Sequence, residues 1–289
     1  MDLRHDGSEL GKAMRRHPGV RPDVLIEDLA EQLGRDCEVE PPVDMSLVAS
    51  MQGVSEITET LSSHSGCLIT TPEGLRIELS ATDGWTRQRF TIGHEVSHTL
   101  LPGFELERNF RCNPGASSPK RGHPVNVEWL ADVGASELLL PRRFVRDRFA
   151  KEPFGWDTIE GVANDYTASL EACARRFVRL SETPAIFVRL VFATSRNNPT
   201  PALRVRTSSS SPSLSLFIPP NKSVPRTHPV HDAVLGVDVD TVADMQSLRA
   251  PGRYRIAARQ YPLPTPKGET VMSVMLIGLK SETHERRSI

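Results

Sequence analysis

Apolar residues along this 289-residue chain recur first with helical and later with strand spacing, and the switch falls near Pro184. The first 20 residues are polar and predict a loosely ordered start. From Asp23, the positions Val24, Leu25, Leu29, Ala30 and Leu33 keep a helical period that stops at Gly34. Pro41-Pro42 breaks the chain, and Asp44 can cap a second helix carrying Leu47, Val48 and Met51 and ending near Gly53. Residues 66–70 and 75–79 read as short strands, joined by the turn sequence Thr71-Pro72-Glu73-Gly74.

Helical spacing returns over Thr86 to Leu100 through Phe90, Ile92, Val96 and Leu100, and Pro102-Gly103 ends it. Residues 103–124 are rich in Pro, Gly and Ser and predict a loop. A strong helix follows from about Val125 to Leu140, and Pro141 opens a short one that is basic at Arg142, Arg143, Arg146 and Arg148. Asp157 to Leu180 predicts two helices with a bend, Ser169 capping the second. Beyond Pro184, residues 185–193, 203–207 and 271–279 read as strands, with the serines at 208–211 and Pro219-Pro220 as loops. The predicted class is α+β in three parts: 1–150, 151–183 and 184–289. No internal repeat is present.

Composition narrows the partners. A net charge of −1 gives no general attraction to nucleic acid or anionic membrane, so any DNA contact needs a local patch. No apolar stretch of about 18 residues exists, and the first residues lack an apolar signal core, which predicts a cytoplasmic protein without a membrane span. Cys37, Cys67, Cys112 and Cys173 are scattered without CxxC spacing and predict free thiols.

The chemistry concentrates in His94-Glu95-Val96-Ser97-His98. On a helix His94 and His98 lie one turn apart on one face, so both rings can reach one zinc ion, with Glu95 beside them as a base for water. Chance gives such a pattern in roughly a few per cent of chains this long, so its surroundings decide. A second predicted helix carries Glu128, a third ligand, and one turn later Asp132, a carboxylate that can orient His94. Glu137 is the rival third ligand. Two imidazoles and a carboxylate suit a hydrolytic zinc site with one open position, and manganese or another divalent ion can take the same set. His123, His228 and His231 are candidates for an added donor to a developing oxyanion, surface positions being the plainer reading. Cys112 is a further candidate for approach to the metal. The strand at 75–79 is a candidate edge along which an extended peptide could align.

Three stretches together carry a resemblance: Pro42-Val-Asp-Met-Ser-Leu-Val-Ala49, Arg89-Phe-Thr-Ile-Gly-His-Glu-Val-Ser-His98 and Glu128-Trp-Leu-Ala-Asp-Val-Gly-Ala-Ser-Glu-Leu-Leu-Leu-Pro141. Their order resembles the ImmA/IrrE family of metallopeptidases over about residues 20 to 180. The resemblance implies a gluzincin-like zinc peptidase core, with His94, His98 and Glu128 as ligands and Glu95 as catalytic acid and base. It also implies a protein substrate, a helix-turn-helix repressor whose cleavage derepresses stress-response or mobile-element genes. Two positions depart from the family's habit: Ser97 stands where glycine is common, and Gly134 where an aromatic residue is common. The stretch from Val162 to Phe177 is similar to the family's helix-turn-helix, whose second helix would present Arg175, Arg176 and Arg179 to DNA or to the repressor. The near-neutral charge favours a solvated helix face, or a surface that holds the repressor, over DNA reading. Residues beyond 184 resemble the longer IrrE-like members, with a GAF-like C-terminal domain in a sensing role. The competing function is a DNA-binding regulator that keeps a zinc site for structure alone.

Overall fold

Ser8 opens the first element: its hydroxyl accepts the amide of Gly11 and caps α1 (Glu9–Arg16). The polar N-terminal stretch thus holds a helix that its sequence did not predict. With eight residues, it offers a single-turn apolar stripe of Leu10, Ala13 and Met14, too short a pattern to read as periodic. The computed structural model describes residues 7–62, 64–103, 109–112, 126–195, 198–214, 216–264 and 270–281. Contacts divide the chain into two compact units, Met1–Val145 with Val162–Ser169 and Arg146–Gly161 with Leu170–Ile289.

In the first unit, α2 (Pro22–Asp36) starts with proline, whose missing N–H costs nothing there, and buries Leu25, Ile26, Ala30 and Leu33. Asp44 caps α3 (Met45–Met51) by accepting the amides of Ser46 and Leu47 at 2.9 and 3.1 Å. Gly53, at φ +81°, then turns the chain into β1 (Val54–Thr60). The hairpin of β2 (Gly66–Thr71) and β3 (Gly74–Ser80) follows as its turn residues predict. β4 (Asn109–Cys112) falls inside the segment predicted to be a loop and pairs with β2. The sheet order is β1-β3-β2-β4, with β1 and β3 parallel and the other pairs antiparallel. The strand expected at an edge, residues 75–79, is therefore internal, flanked by β1 and β2.

Helices α4 (Trp85–His98) and α5 (Val127–Leu139) carry the metal motif, and Leu68, Ile77 and Leu79 are buried in the sheet beside them. Gln88 of α4 donates to Glu59 at 3.0 Å and to the Ser80 carbonyl at 3.2 Å, while Arg89 donates to the Val43 carbonyl at 2.8 Å. These bonds fix the helix against β1, β3 and the entrance to α3. Where α4 meets α5 the contact is made by small residues. A methyl group on Gly134 would lie 2.5 Å from Ser97 Oγ and 2.9 Å from its Cβ; one on Gly93 would lie 3.4 Å from the Ala135 Cα. The two departures from the family's habit, Ser97 and Gly134, thus face each other.

The second unit is built on an antiparallel sheet of β5 (Ala185–Ser195), β6 (Asn198–Ser210), β7 (Val239–Asp244), β8 (Arg253–Pro264) and β9 (Thr270–Lys280), in the order β6-β5-β9-β8-β7. The serines at 208–210 extend β6 by backbone pairing with β5, although their sequence reads as a loop. Helices α6 (Arg142–Lys151) and α7 (Trp156–Asp165) each run through the division between the units, and α8 (Leu170–Leu180) belongs to the second. Residues 151–183 therefore contribute to both. A short α9 (Val230–Val234) joins Ile186, Val188, Tyr254, Ile256 and Leu276 in one core.

Two predictions follow from the first unit. Gly134→Ala gains about 1 kcal/mol of helix propensity but overpacks the seam, so it should destabilise by about 1–3 kcal/mol in denaturant unfolding. Adding Ser97→Gly should recover most of that loss; a fully stable Gly134→Ala would refute the tight seam. Glu31 is buried against Arg35 and Arg142. Burial pushes its carboxyl up, but the hydrogen bonds and charge of the two arginines outweigh this and hold it below the ordinary 4.5. Its stabilising effect is complete above the unfolded value and is lost as pH falls through the lower folded one. Glu31→Gln should accordingly flatten the acid limb of a stability–pH curve.

Candidate metal centre

The i,i+4 spacing on α4 puts the rings of His94 and His98 side by side, their centroids 4.8 Å apart. Their exposures are 0% and 1%, so neither ring has water to solvate a charge. Burial, with the neighbouring His94, presses His98 down to about 3 against the opposing pull of Glu128. It is neutral at any ordinary pH.

α5 supplies the carboxylates. Asn126 caps that helix by accepting the Glu128 amide at 3.0 Å, which fixes Glu128 in the first turn, and Asp132 follows on the same face. Asp132 Oδ1 lies 2.8 Å from His94 Nδ1. With the proton on Nδ1, donated to Asp132, the Nε2 lone pair of His94 is turned inward. His94 Nε2 is 3.1 Å from His98 Nε2 and 3.4 Å from Glu128 Oε2, and His98 Nε2 is 3.5 Å from Glu128 Oε1. Burial pushes the Glu128 carboxyl up, and its hydrogen bond to His94 helps to hold it below the ordinary value.

These separations test the fit of a metal. Ligands held tetrahedrally at about 2.0–2.1 Å from a zinc ion lie about 3.3 Å apart, edge to edge. The two Nε2 atoms, 3.1 Å apart, are close to that figure; each also lies 3.4 or 3.5 Å from a Glu128 oxygen, Oε2 for His94 and Oε1 for His98, so the carboxylate faces both rings. His94, His98 and Glu128 form a group able to hold a metal ion, and their donor types fit zinc or a related divalent cation without selecting one.

The other predicted residues are placed as follows. Glu95 is fully buried on α4 between the two histidines. Glu137, the rival ligand, is buried and accepts the Arg142 amide at 2.9 Å, so it serves the start of α6. His123 lies outside the described residues, as does the side chain of Cys112. His228 and His231 belong to the second unit, where His228 accepts the Val230 amide at 3.2 Å and sets its other ring nitrogen 3.3 Å from Met245 Sδ. The arginines of α8 lie as follows. Arg175 is bound to Glu171 at 2.7 Å and stacks over Phe187, and Arg176 is 1% exposed. Arg189 of β5 and Thr207 of β6 bind the same Glu171, so this face of α8 is packed on the sheet rather than offered to DNA. Arg179 is half-buried.

One residue at the site was missed. Gly66 opens β2, and a methyl group there would lie 2.3 Å from Thr91 Cγ2 and 3.2 Å from Glu95 Oε1. A glycine inside a strand pattern is itself a signal of close approach, and it was legible.

No family model matches the chain, and no curated protein matches it. Among solved structures, a Mycobacterium tuberculosis transcriptional regulator is similar, with a TM-score of 0.55 and 14% identity over 94% of this chain and 80% of that one. The likeness is one of fold. The resemblance to ImmA/IrrE peptidases rests on the sequence motifs.

Asp132→Asn should weaken zinc binding about 10- to 100-fold, since the amide no longer holds the His94 tautomer, and Glu128→Ala should weaken it further. Competition with a chromophoric chelator measures both. Unchanged affinity in Glu128→Ala would remove that carboxylate from the ligand set.

Proposed function

We propose that this protein is a divalent-metal-dependent endopeptidase of the ImmA/IrrE kind, acting on a helix-turn-helix transcriptional repressor. The observation that carries the proposal is the convergence of His94, His98 and Glu128, with one donor atom of each within 4.8 Å of the others, and with Glu95 buried on the helix of the two histidines. A cation bound there would supply Lewis acidity for the scissile carbonyl. The remaining work falls to side chains. Glu95 takes a proton from the attacking water and later delivers it to the leaving amine. Asp132 keeps the His94 ring in one tautomer and orientation. A cytoplasmic setting goes with this reading, and no helix among the described residues is long and apolar enough to cross a membrane. The second unit, in its GAF-like resemblance, would serve control rather than chemistry.

The second reading is a DNA-binding regulator with a structural metal, favoured by the transcriptional regulator whose fold this chain shares. The internal engagement of Arg175 and Arg176 weighs against α8 as its reading helix.

The test pairs two assays. Zinc- or manganese-loaded protein should cut a helix-turn-helix repressor, candidates being any encoded by a neighbouring gene; Glu95→Gln should lower the rate about 10²- to 10⁴-fold with zinc affinity and melting temperature retained. Undiminished cutting by Glu95→Gln would remove that residue from the mechanism. No cutting together with salt-sensitive retardation of duplex DNA would favour the regulator.

A further inference from the structure

Beside the ligand set, the feature that bears most directly on Glu95 is the bare backbone of Gly66. β2 runs antiparallel to both β3 and β4, and Gly66 is paired with Leu79 on one side and Cys112 on the other. The strand therefore cannot shift at this point without disturbing both neighbours. Its opening residue presses on α4 at two positions one turn apart: Thr91, fully buried, and Glu95. A methyl group on Gly66 would stand 2.3 Å from Thr91 Cγ2, far inside contact distance, and 3.2 Å from Glu95 Oε1. Thr91 is β-branched, stiff at χ1 and without open space to swing into. The remaining outlet for the strain is the strand–helix spacing that sets where the Glu95 carboxylate sits.

We propose that Gly66 is a positioning residue: its lack of a side chain lets β2 wall the Glu95 carboxylate into the orientation from which it handles protons. This rests on the endopeptidase reading for its catalytic meaning. The placement of Glu95 itself is open to a separate measurement. The three atoms nearest to a methyl group on Gly66 belong to Thr91, Glu95 and Glu78 rather than to a ligand histidine, so a side chain there should disturb the base before the metal.

The experiment uses the full chain as wild type, Gly66→Ala, Glu95→Gln and the double variant Gly66→Ala/Thr91→Ser, in which the clashing Cγ2 is gone. With zinc bound, Gly66→Ala should show kcat on the repressor lowered about 10- to 100-fold with KM within about threefold, the pattern of a misplaced group rather than lost binding. Thr91→Ser in that background should restore at least about tenfold. Cobalt(II) in place of zinc gives a readout free of activity. Gly66→Ala should bind cobalt with wild-type affinity, its visible absorption should depart from wild type toward that of Glu95→Gln, and the double variant should return toward wild type.

A wild-type spectrum and wild-type kcat in Gly66→Ala overturn the proposal. Lost cobalt binding, or a melting temperature lowered without rescue by Thr91→Ser, overturns it too, because the strand would then support the whole site and not the base. If wild-type protein cuts no repressor, the endopeptidase reading fails while the cobalt spectra still decide the role of Gly66.

Discussion

Glu128 and the two histidines reside on different helices, so the site exists only because α4 and α5 approach closely enough for a short carboxylate arm to span the gap. Helix axes come this near only when the residues at the crossing are small. Gly93 and Ser97 supply that on α4, Gly134 and Ala135 on α5. The Ser97 hydroxyl would be an orphan in such a seam, but it donates to the Gly93 carbonyl at 2.7 Å and so brings no unsatisfied group into the contact. Against the family that the sequence resembles, Ser97 and Gly134 look like two separate departures. In three dimensions they are one exchange of volume across a single contact, the kind of swap a core accepts most readily.

Burial then does chemical work. Burial, together with the neighbouring His94, presses His98 down to about 3, so near neutral pH its ring is uncharged and offers a lone pair. Such burial would be costly if the rings had no polar partners. Asp132 meets Nδ1 of His94, and the Nε2 atoms of both rings converge with Glu128. Nearby, Glu137 satisfies the first amide of α6, and Arg89 satisfies the Val43 carbonyl. These two buried groups each hold one element at a fixed height against another.

The helices of the candidate site were legible because their information is local. Caps such as Asp44, the i,i+4 histidines and the glycine stops all act within one turn of helix. What escaped depends on distant partners. β1, Val54-Ser-Glu-Ile-Thr-Glu-Thr60, is nearly all polar, and only pairing with β3 makes it a strand. β8 contains Pro262 and Pro264, which argue against a central strand; its pairing with β7 ends at Ala258, so both prolines lie where β9 is its one neighbour. The arginines of α8 show the same limit for function. Arg175 with Glu171 reads as an exposed i,i+4 pair, and nothing local announces that Arg189 and Thr207 arrive from the sheet to share the acid.

The burial of the three candidate ligands is uneven, and this bears on whether the site is structural or catalytic. Structural zinc sites are closed by four protein donors and shielded together, whereas hydrolytic sites keep a coordination position facing the substrate. Here the two histidines are sealed at 0% and 1% exposure, while the Glu128 side chain remains 34% exposed. A centre meant only to staple α4 to α5 gains nothing from leaving its carboxylate side accessible, since solvent there weakens the electrostatic hold on the ion. A centre meant to admit a peptide carbonyl requires that asymmetry, with the base fixed on the buried helix and the approach left on the side of Glu128. The exposure gradient across the ligand set therefore favours the hydrolytic reading over the structural one.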